Sequence, residues 1–117
     1  MPLEIRTTDK FEKQAKRLFK KYPSLKKEIS ELGKILTKNP TAGTHLGKNF
    51  YKIRVAIKSK SSGKRGGARV ITFLIYNKLS FKTIDRLYLV TIYDKSELES
   101  ITDKELQKII SDIALSK

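Results

Sequence analysis

The sequence predicts an α+β fold: a small twisted antiparallel sheet with an N-terminal helical hairpin and a C-terminal helix, the helices packed on one face. Three observations carry this. Between Phe11 and Leu36 the apolar residues recur at spacings of three and four, the period of an amphipathic helix. From Tyr51 to Tyr93 they alternate or form short runs bounded by Gly, Ser and Asn, as strands do. Thr102-x-x-Glu105 then opens a last stretch with a single apolar stripe. The expected order is β-α-α-β-β-β-α. At 117 residues the chain can bury one core, so residues 1–117 are expected to form one domain.

Each element has a local reason. Leu3 to Arg6 is a short strand. Thr8 is an N-cap, with Asp9 in the first turn where the helix dipole favours negative charge. Phe11, Ala15, Leu18, Phe19 and Tyr22 form one helical face, with Lys10, Lys13, Lys16, Arg17, Lys20 and Lys21 on the wet side. Pro23 ends this helix and Ser24 caps the next, whose face is Leu25, Ile29, Leu32, Ile35 and Leu36. Asn39-Pro40 stops it. The short link at Tyr22–Ser24 predicts an antiparallel helical hairpin.

Thr41 to Asn49 reads as a loop containing Gly43, Gly47 and the lone histidine, His45. The next stretch alternates cleanly: Tyr51, Ile53, Val55 and Ile57 point one way, Lys52, Arg54, Ala56 and Lys58 the other. Ser59 to Gly67 is a polar loop. Arg69 to Tyr76 is almost continuously apolar or β-branched, which predicts a central strand. Asn77 to Lys82 is a turn and Ile84 to Tyr93 another apolar strand, giving an antiparallel meander. The final stripe is Leu106, Ile109, Ile110 and Ile113.

Composition narrows the function. There is no cysteine and only one histidine, which argues against disulfides and against zinc or iron sites. Apolar runs are too short for a membrane span and no signal-peptide pattern opens the chain, so a cytoplasmic protein is expected. The net charge of +14 is unevenly spread. Leu32 to Ile84 holds twelve Lys or Arg and no acid; the residues before it hold nine basic and five acidic, and those after it five basic and seven acidic. A regional cation excess predicts one polyanion-binding face, and nucleic acid suits it because neutralised phosphates release counterions. No basic segment carries the large apolar face that membrane insertion needs.

Metal and carboxylate chemistry find little support. Asp94/Glu97/Glu99 and Glu28/Glu31 read as helix-end or surface charges, and His45 as a loop residue. Gly66-Gly67 after Lys64-Arg65 is no complete phosphate loop. One constellation remains. Lys52 and Arg54 share a strand face, roughly 6.6 Å apart by strand rise. Arg69 opens the neighbouring strand, and Tyr93 and Lys95 end the one after. If the intervening loop folds back as a hairpin, all five gather on the open side of the sheet.

Such a group can bind RNA and can cut it, since RNA carries its own nucleophile in the 2′-OH. Cleavage then needs a base, charge stabilisation of the phosphorane-like transition state and a proton for the leaving 5′-oxygen. Arg supplies a fixed planar charge, a Lys crowded by cations becomes a proton carrier, and Tyr stacks on a base or relays a proton. Equally, Tyr93 can be an amphipathic sheet-edge residue beside cations that merely bind. Composition leaves both open.

Four segments together resemble the RelE/HigB branch of the RelE/ParE toxin superfamily: Asn39-Pro40-x-x-Gly43-x-x-Leu46, Tyr51 to Ala56, Gly63 to Ile71, and Leu89 to Lys95. The resemblance implies a RelE-like microbial ribonuclease fold and the toxin of a bacterial type II toxin–antitoxin pair. It implies a metal-free endoribonuclease, with no cofactor, that cuts mRNA in the ribosomal A site. Partners implied are a HigA/RelB-like antitoxin and the 16S rRNA of the small subunit. Lys52 and Arg54 match the family's strand cations, Arg69 its phosphate-stabilising arginine, and Tyr93 and Lys95 the HigB-like Ile-Tyr-x-Lys pattern. The nearby cations Lys58, Lys60, Lys64 and Arg65 are expected to hold the RNA backbone. The chain departs from RelE in having Ile101 where RelE-type members place a catalytic tyrosine, Arg54 in place of a lysine, and a longer loop from Lys58 to Gly67. The general base is therefore open between Tyr93 and Lys52. The ParE branch, which poisons DNA gyrase, shares the fold but generally lacks this cationic set.

Overall fold

The computed structural model describes residues 3–58, 67–97 and 101–115. The elements run β1 (Glu4–Thr7), α1 (Asp9–Lys21), α2 (Leu25–Lys38), β2 (Thr44–Gly47), β3 (Phe50–Val55), β4 (Ala68–Tyr76), β5 (Ile84–Asp94) and α3 (Asp103–Leu115). The helices begin where the sequence expects. Thr8 accepts the Phe11 N–H at 3.1 Å, which satisfies one of the free donors of the first turn of α1. Thr102 does the same for Glu105 at 3.2 Å at the head of α3. Ser24 stands at the N-cap of α2 without a side-chain cap bond; its hydroxyl donates to Glu28 at 3.1 Å.

The five strands lie in the order β1-β5-β4-β3-β2. Two expectations change here. Part of the segment read as a loop, Thr44–Gly47, is a short edge strand antiparallel to β3, and His45 stacks on Tyr51 across the pair at 4.8 Å between ring centroids. The sheet is also mixed, because β1 runs parallel to β5. Four residues of strand pattern carry no direction; the partner, far along the chain, sets it.

The third change concerns the layers. Helices cover both faces of the sheet, not one. Phe11, Ala15 and Leu18 of α1 and Leu25, Leu32 and Leu36 of α2 pack on Ile53, Val55, Val70, Leu74, Leu87, Leu89 and Ile92. On the opposite face Leu106, Ile109 and Ile113 of α3 pack on Phe50, Ile71, Tyr88, Val90 and Tyr93. The near-continuous apolar runs of β4 and β5 follow from this, since a strand buried on both faces has no wet row to fill with polar residues.

One irregularity positions everything downstream. In the β4–β5 ladder Ile71 pairs with Thr91 but Thr72 pairs with Leu89, so Val90 is an extra residue, a β-bulge. Thr8 holds it from the side: its N–H donates to the Leu89 carbonyl at 3.2 Å and its hydroxyl to the Val90 carbonyl at 2.8 Å. The bulge inverts the alternation. Leu87 and Leu89 face the α1–α2 hairpin before it, and Ile92 and Asp94 after it, so Tyr93 is delivered to the α3 face.

Two glycines test this architecture in opposite directions. Gly43 leads into β2 with φ +97°, and a Cβ there would lie 2.3 Å from the Lys52 carbonyl oxygen. Gly43→Ala should lower stability by about 2–4 kcal/mol, the left-handed penalty plus overpacking. Gly33, inside α2, has nothing within 4 Å of a Cβ position. Gly33→Ala should raise stability by about 0.5–1 kcal/mol. Urea unfolding midpoints of the two variants check both signs.

Candidate functional site

The strand registers place three of the five expected residues in one row. Arg54 of β3 is directly opposite Arg69 of β4, and Arg69 is directly opposite Tyr93 of β5. Directly opposed residues project from the same face, with Cβ atoms about 5 Å apart. Lys52 stands two residues along β3 on that face, between Thr44 and Ile71. Lys95 follows the end of β5, and its N–H donates to the Gly67 carbonyl at 3.1 Å, which keeps it beside the start of β4. Lys52, Arg54, Arg69, Tyr93 and Lys95 thus gather at one end of the central strands.

The face is not the open one the sequence suggested, because α3 lies on it. Arg69 is 5% exposed and Tyr93 6%. Arg54 remains exposed, and Lys52 and Lys95 are half-buried. The site is therefore graded, from cations in water on β3 to a buried arginine–tyrosine pair on β4 and β5.

Burial sets the chemistry of that pair. Arg69 donates from Nη1 to the Ala68 carbonyl at 3.2 Å. The Tyr93 hydroxyl is buried and has no hydrogen-bond partner among the described residues. Loss of water pushes the Tyr93 hydroxyl above its ordinary value, and the charge of Arg69 pulls it part of the way back. At neutral pH Tyr93 is therefore a protonated phenol, a donor and not a base. An unsatisfied buried hydroxyl costs stability; among the described residues the Thr72 hydroxyl, on the hairpin side of β4, is in the same state.

Asp94 is the residue the sequence reading misjudged. It is no surface charge but fully buried, opposite Ala68 on the hairpin face. The Tyr22 hydroxyl donates to it at 2.6 Å, the Ser96 N–H at 2.9 Å and the Ser96 hydroxyl at 2.8 Å. This ties the turn that carries Lys95 to the end of α1. The only sequence signal was that Asp94 continues the hairpin-face row, visible once the bulge is known. Next to it Glu97 accepts both terminal nitrogens of Arg17 at 3.0 Å. That bidentate bond, with Lys21 at 3.8 Å, holds Glu97 below the usual carboxylate range.

The remaining expected residues lie apart. Lys58 is exposed, and its N–H donates to Glu28 of α2 at 2.9 Å, so its backbone is committed to the hairpin. Lys60, Lys64 and Arg65 lie outside the described residues. Ile101 is half-buried against the α3-side cluster. It borders a cleft of about 270 Å³ with Lys10, Arg17, Thr91, Tyr93 and Glu105. Among the described residues no three His, Cys, Asp or Glu side chains come together, and no helix is long and apolar enough to cross a membrane.

Of the row only Arg54 meets solvent; Arg69 and the Tyr93 hydroxyl lie buried behind it, an arginine fork and a phenol of the kind that bind phosphate and donate a proton. No known protein-family profile matches the chain.

Replacing Tyr93 separates cost from use. Tyr93→Phe removes the unsatisfied hydroxyl and should stabilise the protein by about 1–2 kcal/mol at neutral pH. The pH dependence has a definite sign. Below the ordinary tyrosine value of 10.0 folded and unfolded chains both keep this proton, and the raised value changes nothing. Above it the unfolded chain ionises first, so stability falls as pH rises toward Tyr93's own higher value. Absorbance titration should show a late tyrosine that vanishes in Tyr93→Phe, along with part of the alkaline loss of stability.

Proposed function

We propose that this chain is a toxin of the RelE/HigB-like branch of the RelE/ParE superfamily, with a RelE-like fold, and that it cuts mRNA in the ribosomal A site without a cofactor. The observation that carries the reading is the Arg54–Arg69–Tyr93 row. In the proposed reaction the 2′-oxygen attacks phosphorus and the bond to the 5′-oxygen breaks, leaving a 2′,3′-cyclic phosphate and a 5′-OH. Arg54 and Arg69 stabilise the charge that develops on the non-bridging oxygens. Tyr93 holds its proton at neutral pH and gives it to the departing 5′-oxygen. In this reading Lys52, on the same face, takes the 2′-OH proton. The 16S rRNA of the small subunit and a HigA/RelB-like antitoxin are the partners of this reading.

A second reading has its own support. Arg69 and Tyr93 are buried, whereas Arg54 is exposed, so a non-catalytic RNA- or ribosome-binding module would use the β3 cations alone.

Mutation of the row distinguishes them. Arg54→Ala leaves folding intact, since Arg54 is exposed. In the ribonuclease reading Arg54→Ala and Arg69→Ala each lose about 2–4 kcal/mol of transition-state stabilisation, roughly 30- to 1000-fold in cleavage rate. RNA binding falls far less. The assay is end-mapping of messages after induction, with products bearing cyclic phosphates in the presence of a chelator. Intact messages under growth arrest, with altered DNA supercoiling, would replace this reading with gyrase inhibition. Arrest without cleavage or supercoiling change, equal for Tyr93→Phe, would favour the binding module.

A further inference from the structure

The far end of the β4–β5 hairpin carries two large apolar side chains in water. Leu79 is 97% exposed and Phe81 80%. They belong to the run Lys78-Leu79-Ser80-Phe81-Lys82, in which both flanking residues are exposed lysines. Arg69 and Tyr76 lie seven residues apart on β4, so this tip stands roughly 25 Å from the arginine row by strand rise.

The tip is braced. The Asn77 side-chain oxygen accepts the Leu79 N–H at 2.8 Å and the Ser80 N–H at 3.1 Å. The Asn77 backbone N–H donates to the Thr83 carbonyl at 2.8 Å, and the Thr83 N–H to the Ser80 carbonyl at 3.0 Å. The Asn77 amide also donates to both oxygens of Asp85 at 3.2 Å. The nearest carboxylate downstream is thus engaged by the turn itself, and the lysines are left to face a partner. A braced turn loses little backbone freedom on binding, and it presents the Phe81 ring to solvent.

We infer that this tip is a second RNA contact, at which Phe81 stacks on an unpaired base, Leu79 supports it as a wedge, and Lys78 and Lys82 neutralise the flanking phosphates. The inference rests on the RNA reading above for the polymer. Size and charge favour RNA over other occupants. A stable protein partner needs about 800 Å² on each side, far more than two side chains offer. Two apolar residues and two lysines are also too few to anchor a chain on a bilayer, where one complete acyl chain is itself marginal. A nucleobase asks for one exposed ring and adjacent cations, which is what this turn presents.

The chain has no tryptophan, so Phe81→Trp installs a single fluorophore at the site. The probe is an RNA stem-loop with an unpaired loop, 2′-O-methylated throughout so that it cannot be cut. We expect the stem-loop to quench Phe81→Trp, with affinity close to that of the unaltered protein. Phe81→Ala should bind about tenfold more weakly, with an unchanged melting temperature because the ring is exposed. Equal affinity of Phe81→Ala and the unaltered protein overturns the inference. So does quenching by phosphatidylserine vesicles but not by RNA, which would make the tip a lipid contact. Neither result touches the ribonuclease reading, which is decided by message cleavage in the Arg54 and Arg69 variants.

Discussion

Val90 is one residue too many for its strand, and the arrangement of the candidate site depends on it. A regular β5 would send Tyr93 toward the α1–α2 hairpin with Leu87 and Leu89, and Asp94 toward α3. The bulge reverses both. Tyr93 joins Arg69, and Asp94 reaches the Tyr22 hydroxyl at the end of α1. The bulge is held because both faces of β5 are buried: Leu87, Leu89 and Ile92 fill one core and Tyr88, Val90 and Tyr93 the other. Slipping the register by one residue would remove side chains from both cores together. Thr8 adds a local clamp, since the residue that caps α1 also donates to the Val90 carbonyl.

Packing α3 over this face has an electrostatic consequence. An arginine and a phenol in low dielectric act more strongly on a nearby charge than the same groups in water. In the proposed reaction the exposed Arg54 and half-buried Lys52 beside them form the approach from solvent, and the buried pair supplies fixed groups that need little reorganisation when charge develops. The cost is visible in the Tyr93 hydroxyl, which has no partner among the described residues. Such a cost at the centre of a proposed site fits the general opposition between stability and function.

Three acids of the last third of the chain, Asp94, Glu97 and Glu105, turn toward α1 and its C-cap. Glu97 holds Arg17 and Lys21, Glu105 lies 3.9 Å from Lys10, and Asp94 takes the Tyr22 hydroxyl. They therefore moderate the lysine-rich helix, while Asp85 is taken up by the Asn77 amide at the hairpin tip. The arginine row and the braced Lys78–Lys82 tip lie at opposite ends of the same central strands, an arrangement suited to an extended ligand.

Much of this was legible in local pattern. The helices and their caps at Thr8 and Thr102, the strand alternation of Tyr51 to Ile57, the buried runs of β4 and β5 and the α+β class all follow from periods and capping chemistry that depend only on near neighbours. The grouping of Lys52, Arg54, Arg69, Tyr93 and Lys95 at one end also followed, because hairpin succession constrains which strand ends meet. Tertiary structure alone decided the rest. The direction of β1, the pairing of Thr44–Gly47 and the seating of α3 on the second face depend on partners distant in sequence. The bulge at Val90 is an outcome of two cores competing for one strand, and an apolar run gives no parity by which to detect it. Asp94 passed for a surface charge for the same reason: its burial was fixed by a tyrosine on another element, across a face that the alternation could not assign.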